Sequence, residues 1–284
     1  MIGGAADCIA DFRRGMEPNR QAEPSSLAVK PSGASLVAMS LAKAVAPVID
    51  LVFPPRCPLC GEGLSAQDGL CGACWNELVI PGSPACGSCG RPFADGIADG
   101  ATCAPCLASP PRHDGIAAAT LYNDASRKLV LAFKHGNRIA LSGLMARLMD
   151  AKLSMIGSDW QVVPVPLHRW RLWRRGFNQA AVLAGELARR RRAMLVVDAL
   201  VRRKATPSLG GLGRNARSKA LTGAIAINPV RKPGLKGAKV LLVDDVLTSG
   251  ATSAACVSAL KRAGAERVVI GCFARVLDEA LDVA

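Results

Sequence analysis

From residue 115 onward, short apolar runs alternate with stretches whose apolar positions recur every three or four residues. The runs at 115–122, 162–166, 195–201, 239–243 and 267–273 have the length and continuity of buried strands. The stretches at 125–133, 139–153, 178–191 and 252–263 read as helices, the third with Ala180, Leu183, Ala184, Leu187 and Ala188 on one face. Gly264 stops the last of them. Continuous apolar strands spaced by helices predict an α/β fold: a parallel sheet covered on both faces.

Upstream the pattern changes twice. Residues 1–38 are polar and rich in Pro and Ser, have no apolar period, and are expected to be a disordered extension; Met39 is a candidate start. Leu41, Val45, Val48, Ile49 and Val52 then fall at helical spacing, and Pro54-Pro55 ends that lead-in helix. Residues 36–53 are apolar but interrupted by Lys43, Pro47 and Asp50, so no membrane span is expected. Residues 57–106 carry no sustained period at all. Pro110-Pro111 closes this region, dividing the chain into an extension (1–38), a helix with a cysteine-rich segment (39–111) and an α/β domain (112–284).

Cysteine spacing supplies what the middle region lacks in apolar pattern. Eight of the eleven cysteines form four C-x-x-C pairs: Cys57/Cys60, Cys71/Cys74, Cys86/Cys89 and Cys103/Cys106. The motif C-x-x-C-G repeats at Cys57–Gly61 and Cys86–Gly90. The first thirty residues have no apolar leader core, so a cytoplasmic chain with reduced thiols is expected. In that setting paired C-x-x-C motifs denote two structural Zn2+ sites, in which metal replaces an apolar core. Sequential pairing puts Cys57, Cys60, Cys71 and Cys74 on one ion and Cys86, Cys89, Cys103 and Cys106 on the other; a cross-braced arrangement remains open. The ribbons serve as structural metal sites or as docking surfaces for nucleic acid or protein. Cys8, Cys256 and Cys272 read as thiols without a metal role. The formal charge of +14 falls to about +10 once two such sites, each of net −2, are filled. The balance still favours anionic partners.

The chemistry concentrates in VLLVDDVLTSGAT, residues 240–252. A strand ending at a small-residue turn before a helix aims backbone N–H groups and the helix dipole at one point, and Thr248, Ser249 and Thr252 add hydroxyls. The turn has no Walker lysine. Asp244 and Asp245 beside an anion cradle make sense for a ligand with a phosphate at one end and vicinal hydroxyls at the other, as in a ribose 5-phosphate. Along its whole length this stretch resembles the 5-phosphoribosyl-1-pyrophosphate (PRPP) motif of type I phosphoribosyltransferases. A second anchor, VPVPLHRWRLWRRGFNQ at 163–179, runs from a strand through a basic loop into a helix.

The CPLCG ribbon, Lys134-His135-Gly136, PVPLH…RGFNQ and VLLVDDVLTSGAT, in this order, resemble the ComF family over residues 46–276. Members are double zinc ribbon, phosphoribosyltransferase-like proteins associated with DNA uptake in natural transformation. The resemblance implies a type I phosphoribosyltransferase fold after the ribbons and Mg2+-dependent transfer of a phosphoribosyl group with release of pyrophosphate. It implies PRPP contacts from Asp244, Asp245, Thr248, Ser249, Gly250, Ala251, Thr252, Pro164, Val165, Pro166 and Lys134, the last also readable as a surface lysine. Asp244, Asp245, Arg175 and Arg217 are the expected catalytic side chains; Arg169, Arg171 and Arg174 add charge for pyrophosphate. Trp170 and Trp173 read as base-stacking residues, as a cover over the site, or as half-buried aromatics. Residues 202–225 match the family's hood except at Leu209, Ala220 and Ile225, where Gln, Asn and Phe are usual; this puts catalytic competence in doubt more than binding. The alternatives are a non-catalytic PRPP-sensing adaptor that holds single-stranded DNA or a DNA-processing protein, and a nucleic-acid binder with a vestigial site. The acceptor is not legible.

Overall fold

Val240, Leu241, Leu242 and Val243 are wholly buried because their strand lies in the middle of a sheet with both faces covered. The computed structural model describes residues 54–66, 69–135, 139–203 and 223–277. The expected extension and lead-in helix, Gly136, and the hood residues Leu209, Arg217 and Ala220 lie outside the described residues.

Five strands form a parallel sheet in the order β1-β7-β6-β2-β3: β1 (Ile116–Leu121), β2 (Trp160–Pro164), β3 (Met194–Leu195), β6 (Lys239–Leu247) and β7 (Arg267–Arg275). A separate antiparallel pair is made by β4 (Leu200–Arg202) and β5 (Ile225–Ile227). One face of the sheet presents Val162, Leu241, Val243 and Phe273 to α3 (Asp124–His135), α4 (Leu141–Asp150) and α6 (Gln179–Arg191). The other presents Val163, Val240, Leu242 and Ile270 to α7 (Ala251–Arg262), with Leu200 and Ile225 of the hairpin in the same cluster. Leu183 and Leu187 of α6 are fully buried, so trimming either to alanine should cost about 2–5 kcal/mol.

Three sequence expectations need correction. The run at 195–201 is two strands: Met194–Leu195 joins the sheet, and the chain then turns at Asp198 before β4 leaves to pair with β5. The basic segment after β2 is a short helix, α5 (Arg169–Arg175), whose N-cap His168 accepts a hydrogen bond from the Trp170 N–H. β6 also continues past its apolar run through both aspartates to Leu247, because the strand keeps its pairing with β7, Asp244 opposite Cys272 and Leu247 opposite Arg275. Ile225 packs into the second-face core. Among the described residues, no helix is long and apolar enough to cross a membrane.

Candidate functional site

The cysteines gather in the sequential sets, Cys57/Cys60/Cys71/Cys74 and Cys86/Cys89/Cys103/Cys106, each with its sulphurs within 4.8 Å of one another. Short helices α1 (Gly72–Asn76) and α2 (Ala104–Ala108) begin directly after Cys71 and Cys103 and carry Cys74 and Cys106 back toward the other pair. The Cys60–Cys71 and Cys89–Cys103 sulphurs are 3.5 and 3.7 Å apart, close to the edge of about 3.8 Å of a tetrahedron with Zn–S bonds of about 2.3 Å. Burial works against ionising Cys57 and Cys86, but surrounding backbone N–H groups outweigh it and hold both thiols down at about 6. In the second set the Cys103 N–H points at the Cys86 sulphur, 3.3 Å away. The donor sets fit Zn2+.

Asp244 and Asp245 are neighbours in β6 and so face opposite sides of the sheet. Asp245 is buried on the α3 side, where Lys134 Nζ lies 2.8 Å from its Oδ2. Asp244, half-buried, faces the α7 side. Burial, and then the Asp245 charge, push its carboxyl up to about 8. Its charge reaches the Cys256 and Cys272 thiols, both raised chiefly by burial, Cys272 to about 12. Asp245 is paired with Lys134, while Asp244 sits where its charged form is disfavoured by burial and by the neighbouring carboxylate.

Residues far apart in sequence hold this arrangement. Phe177 packs edge-on against Phe133, the residue before Lys134, with ring centroids 6.0 Å apart. Asn178 caps α6 by accepting from the Ala180 N–H, while its Nδ2 donates to the Val165 carbonyl at 3.1 Å. The Val165 N–H in turn donates to Val243 of β6. Pro164, Val165 and Pro166 are thereby fixed beside the start of the acid pair. The turn after β6 contains Thr248, which is exposed, and the half-buried Ser249 and Gly250. Gly250 caps α7 at φ +70°, which favours glycine, and Ala251 and Thr252 form the first turn. Arg175 ends α5; Arg217 lies outside the described residues.

One residue of this region escaped the sequence reading. Arg275, at the end of β7 opposite Leu247, is buried and donates to the carbonyl and the sulphur of Cys89. Its one sequence signal is a cation closing an apolar strand.

The double zinc ribbon domain model matches residues 48–107 and the phosphoribosyl transferase domain model residues 176–283. Competence protein F of Haemophilus influenzae is 31% identical over 230 residues, which span 78% of this chain and 98% of that protein. This chain belongs to the competence protein F (ComF) family. Another relative, the DNA utilization protein YhgH of Salmonella typhimurium, is 30% identical over 235 residues, 80% of this chain and 100% of that protein. The UMP synthase of Leishmania donovani, of known structure, overlaps 55% of this chain and 30% of its own at 19% identity and TM-score 0.29, too loosely to bear on function. ComF membership accords with both halves of the structure: two four-cysteine sets and a parallel sheet ending in the acid pair.

Proposed function

We propose that this protein binds PRPP together with Mg2+ and transfers the 5-phosphoribosyl group to an acceptor, releasing pyrophosphate. The observation that carries the reading is the acid pair near the end of β6, with Asp245 paired to Lys134, two residues before the 248–252 turn that opens α7. The first-turn N–H groups and hydroxyls of 248–252 hold the 5-phosphate. Asp244 and Asp245 take the ribose hydroxyls and stabilise the positive charge that develops on the ring. In the transfer the bond from the anomeric carbon to pyrophosphate oxygen breaks, a bond to the acceptor forms, and the acceptor gives up a proton. The 164–166 turn, Arg175 and Arg217 receive the pyrophosphate. The two carboxylates are hard oxygen donors suited to Mg2+, which supplies charge neutralisation for the leaving group when bound with PRPP.

Titration calorimetry of PRPP with Mg2+ into zinc-loaded protein tests the reading. Saturable binding is expected, lost in the Asp244→Ala/Asp245→Ala variant; absence of binding to folded wild type removes it. Pyrophosphate release then separates an enzyme from a PRPP sensor.

A second reading, binding of single-stranded DNA by an adaptor, is favoured by one feature. Trp170 and Trp173 are 61% and 77% exposed and stacked on each other with centroids 5.3 Å apart, on a helix of sequence RWRLWRR. Such a pair within an arginine run suits stacking on unpaired bases. The names of the two relatives, competence protein F and DNA utilization protein, point the same way. Quenching of tryptophan fluorescence by oligothymidylate, weakening steeply with salt, is the expected result; no quenching at low salt removes this reading.

A further inference from the structure

We propose that Arg275 is the second-sphere cation of the Cys86/Cys89/Cys103/Cys106 metal site and the tie that sets this site against the PRPP turn. Arg275 is 9% exposed, and its guanidinium donates through Nη1 to the Cys89 carbonyl and through Nη2 to the Cys89 sulphur, 3.4 Å away. A buried guanidinium needs an anion. Asp114, in the segment before β1, is already engaged by Lys261 at 2.6 Å and by the Val268 N–H. His113 is held down, first by burial and then by the Arg275 charge, and offers no anion. The filled four-thiolate site, of net −2, is the counter-charge that makes this burial tolerable.

The same residue borders the ligand site. Arg275 lies opposite Leu247 in the β6–β7 register, and the Val276 N–H donates to the Leu247 carbonyl. Leu247 is the last residue before the 248–252 turn, and it packs with Ala118 and Cys272 in a cluster that Ile116 joins. Ile116 also packs on the cysteines of the second set. At Gly90 the ribbon backbone comes so close to β1 that an added Cβ would lie 2.8 Å from the Ile116 oxygen. Metal site, arginine and PRPP turn are therefore consecutive contacts.

Zinc release to a chromogenic chelator tests this without any activity assay. Outer-sphere partners of metal ligands are typically worth about 10–100-fold in affinity. In a Cys60→Ser background, where the second site reports alone, Arg275→Gln and Arg275→Met should speed release by at least about tenfold. Arg275→Lys keeps the charge but not the paired N–H groups, so its acceleration should be smaller. If the neutral variants do not fold, Arg275→Lys carries the test. A wild-type release rate in whichever variants fold overturns the proposal. The tie to the turn rests on the PRPP reading and is read separately: Arg275→Lys should weaken Mg2+-PRPP binding several-fold in calorimetry. Faster zinc release with unchanged PRPP affinity overturns the tie alone. If wild type binds no PRPP, the PRPP reading fails while the zinc result still decides the role of Arg275.

Discussion

The two ribbons share the C-x-x-C-G repeat and the four-cysteine set, yet they attach to the rest of the protein by different means. The first grips with apolar side chains: Leu59, Leu70 and Leu78 pack into the α3–α4–α6 core. Backbone and side-chain bonds from Asn123, Lys152 and Leu121 to the carbonyls of Glu77, Pro81 and Val79 add to this grip. In its metal set Cys57, Cys71 and Cys74 are buried but Cys60 is exposed. The second ribbon is attached through its metal ligands: all four cysteines are buried, Arg275 reaches Cys89, and Gly90 abuts the backbone of β1. Both ribbons thus touch the edge strand β1, the first beside an apolar anchor of its own and the second through its metal ligands. The difference teaches that a zinc site's importance to a fold is set by what its ligands touch beyond the metal.

The largest expected effect comes from removing each zinc in turn. Structural zinc contributes about 10–16 kcal/mol of apparent binding free energy in small domains, and at the second site that energy also holds the dock. Cys86→Ser should lose one zinc equivalent, the main cooperative thermal transition and PRPP binding together. Cys60→Ser should lose one equivalent and leave the sheet's transition and PRPP affinity close to wild type. Equal damage from both would end the distinction.

Next come the acids, which should alter the ligand site while both ribbons keep their zinc. Asp245→Ala should weaken PRPP by about 10–100-fold, the range for hydrogen bonds to a charged group, with zinc content unchanged. Asp244→Asn should weaken PRPP as well and yet stabilise the protein above neutrality. The folded pKa of Asp244 is raised from the ordinary carboxyl value to about 8, so the native state binds the extra proton between those limits. Stability therefore falls as pH rises from about 4 through 8. Melting temperatures between pH 6 and 8.5 should fall in wild type more steeply than in Asp244→Asn. Parallel slopes would mean that Asp244 is already ionised.

A smaller effect isolates the dock itself. Gly61 and Gly90 hold the same place in the repeat, with φ of +81° and +65°. A Cβ at Gly61 meets nothing within 4 Å, whereas one at Gly90 meets the Ile116 oxygen. Gly61→Ala should cost about 1 kcal/mol of backbone strain. Gly90→Ala should cost about 1–3 kcal/mol more, the range for overpacking, measured as the difference between the two denaturation midpoints. Similar midpoints would show that the second ribbon is no more tightly seated than the first. The smallest effect is expected at Trp170→Ala/Trp173→Ala. Both rings are exposed, so the melting temperature and zinc content should stay as they are while oligothymidylate binding weakens.

The sequence by itself determined what lies on contiguous stretches. The paired cysteines were legible because each C-x-x-C knuckle brings its two thiols together locally, and the turn after β6 because its small and hydroxyl residues are consecutive in the chain. The parallel α/β class was legible because burial on both faces writes continuous apolar runs. Tertiary structure decided what depends on faces and on distant partners. Alternation along β6 sends Asp245 to Lys134 and Asp244 to the buried thiols, giving adjacent identical residues different surroundings. The run at 195–201 is apolar throughout, so only pairing could split it between the sheet and the β4–β5 hairpin. Arg275 gained its meaning from Cys89, a partner no local pattern announces. Spacing along the chain encodes the chemistry of a turn or a knuckle. Long-range packing chooses which of those groups meet, and so which of them are charged, buried or coupled.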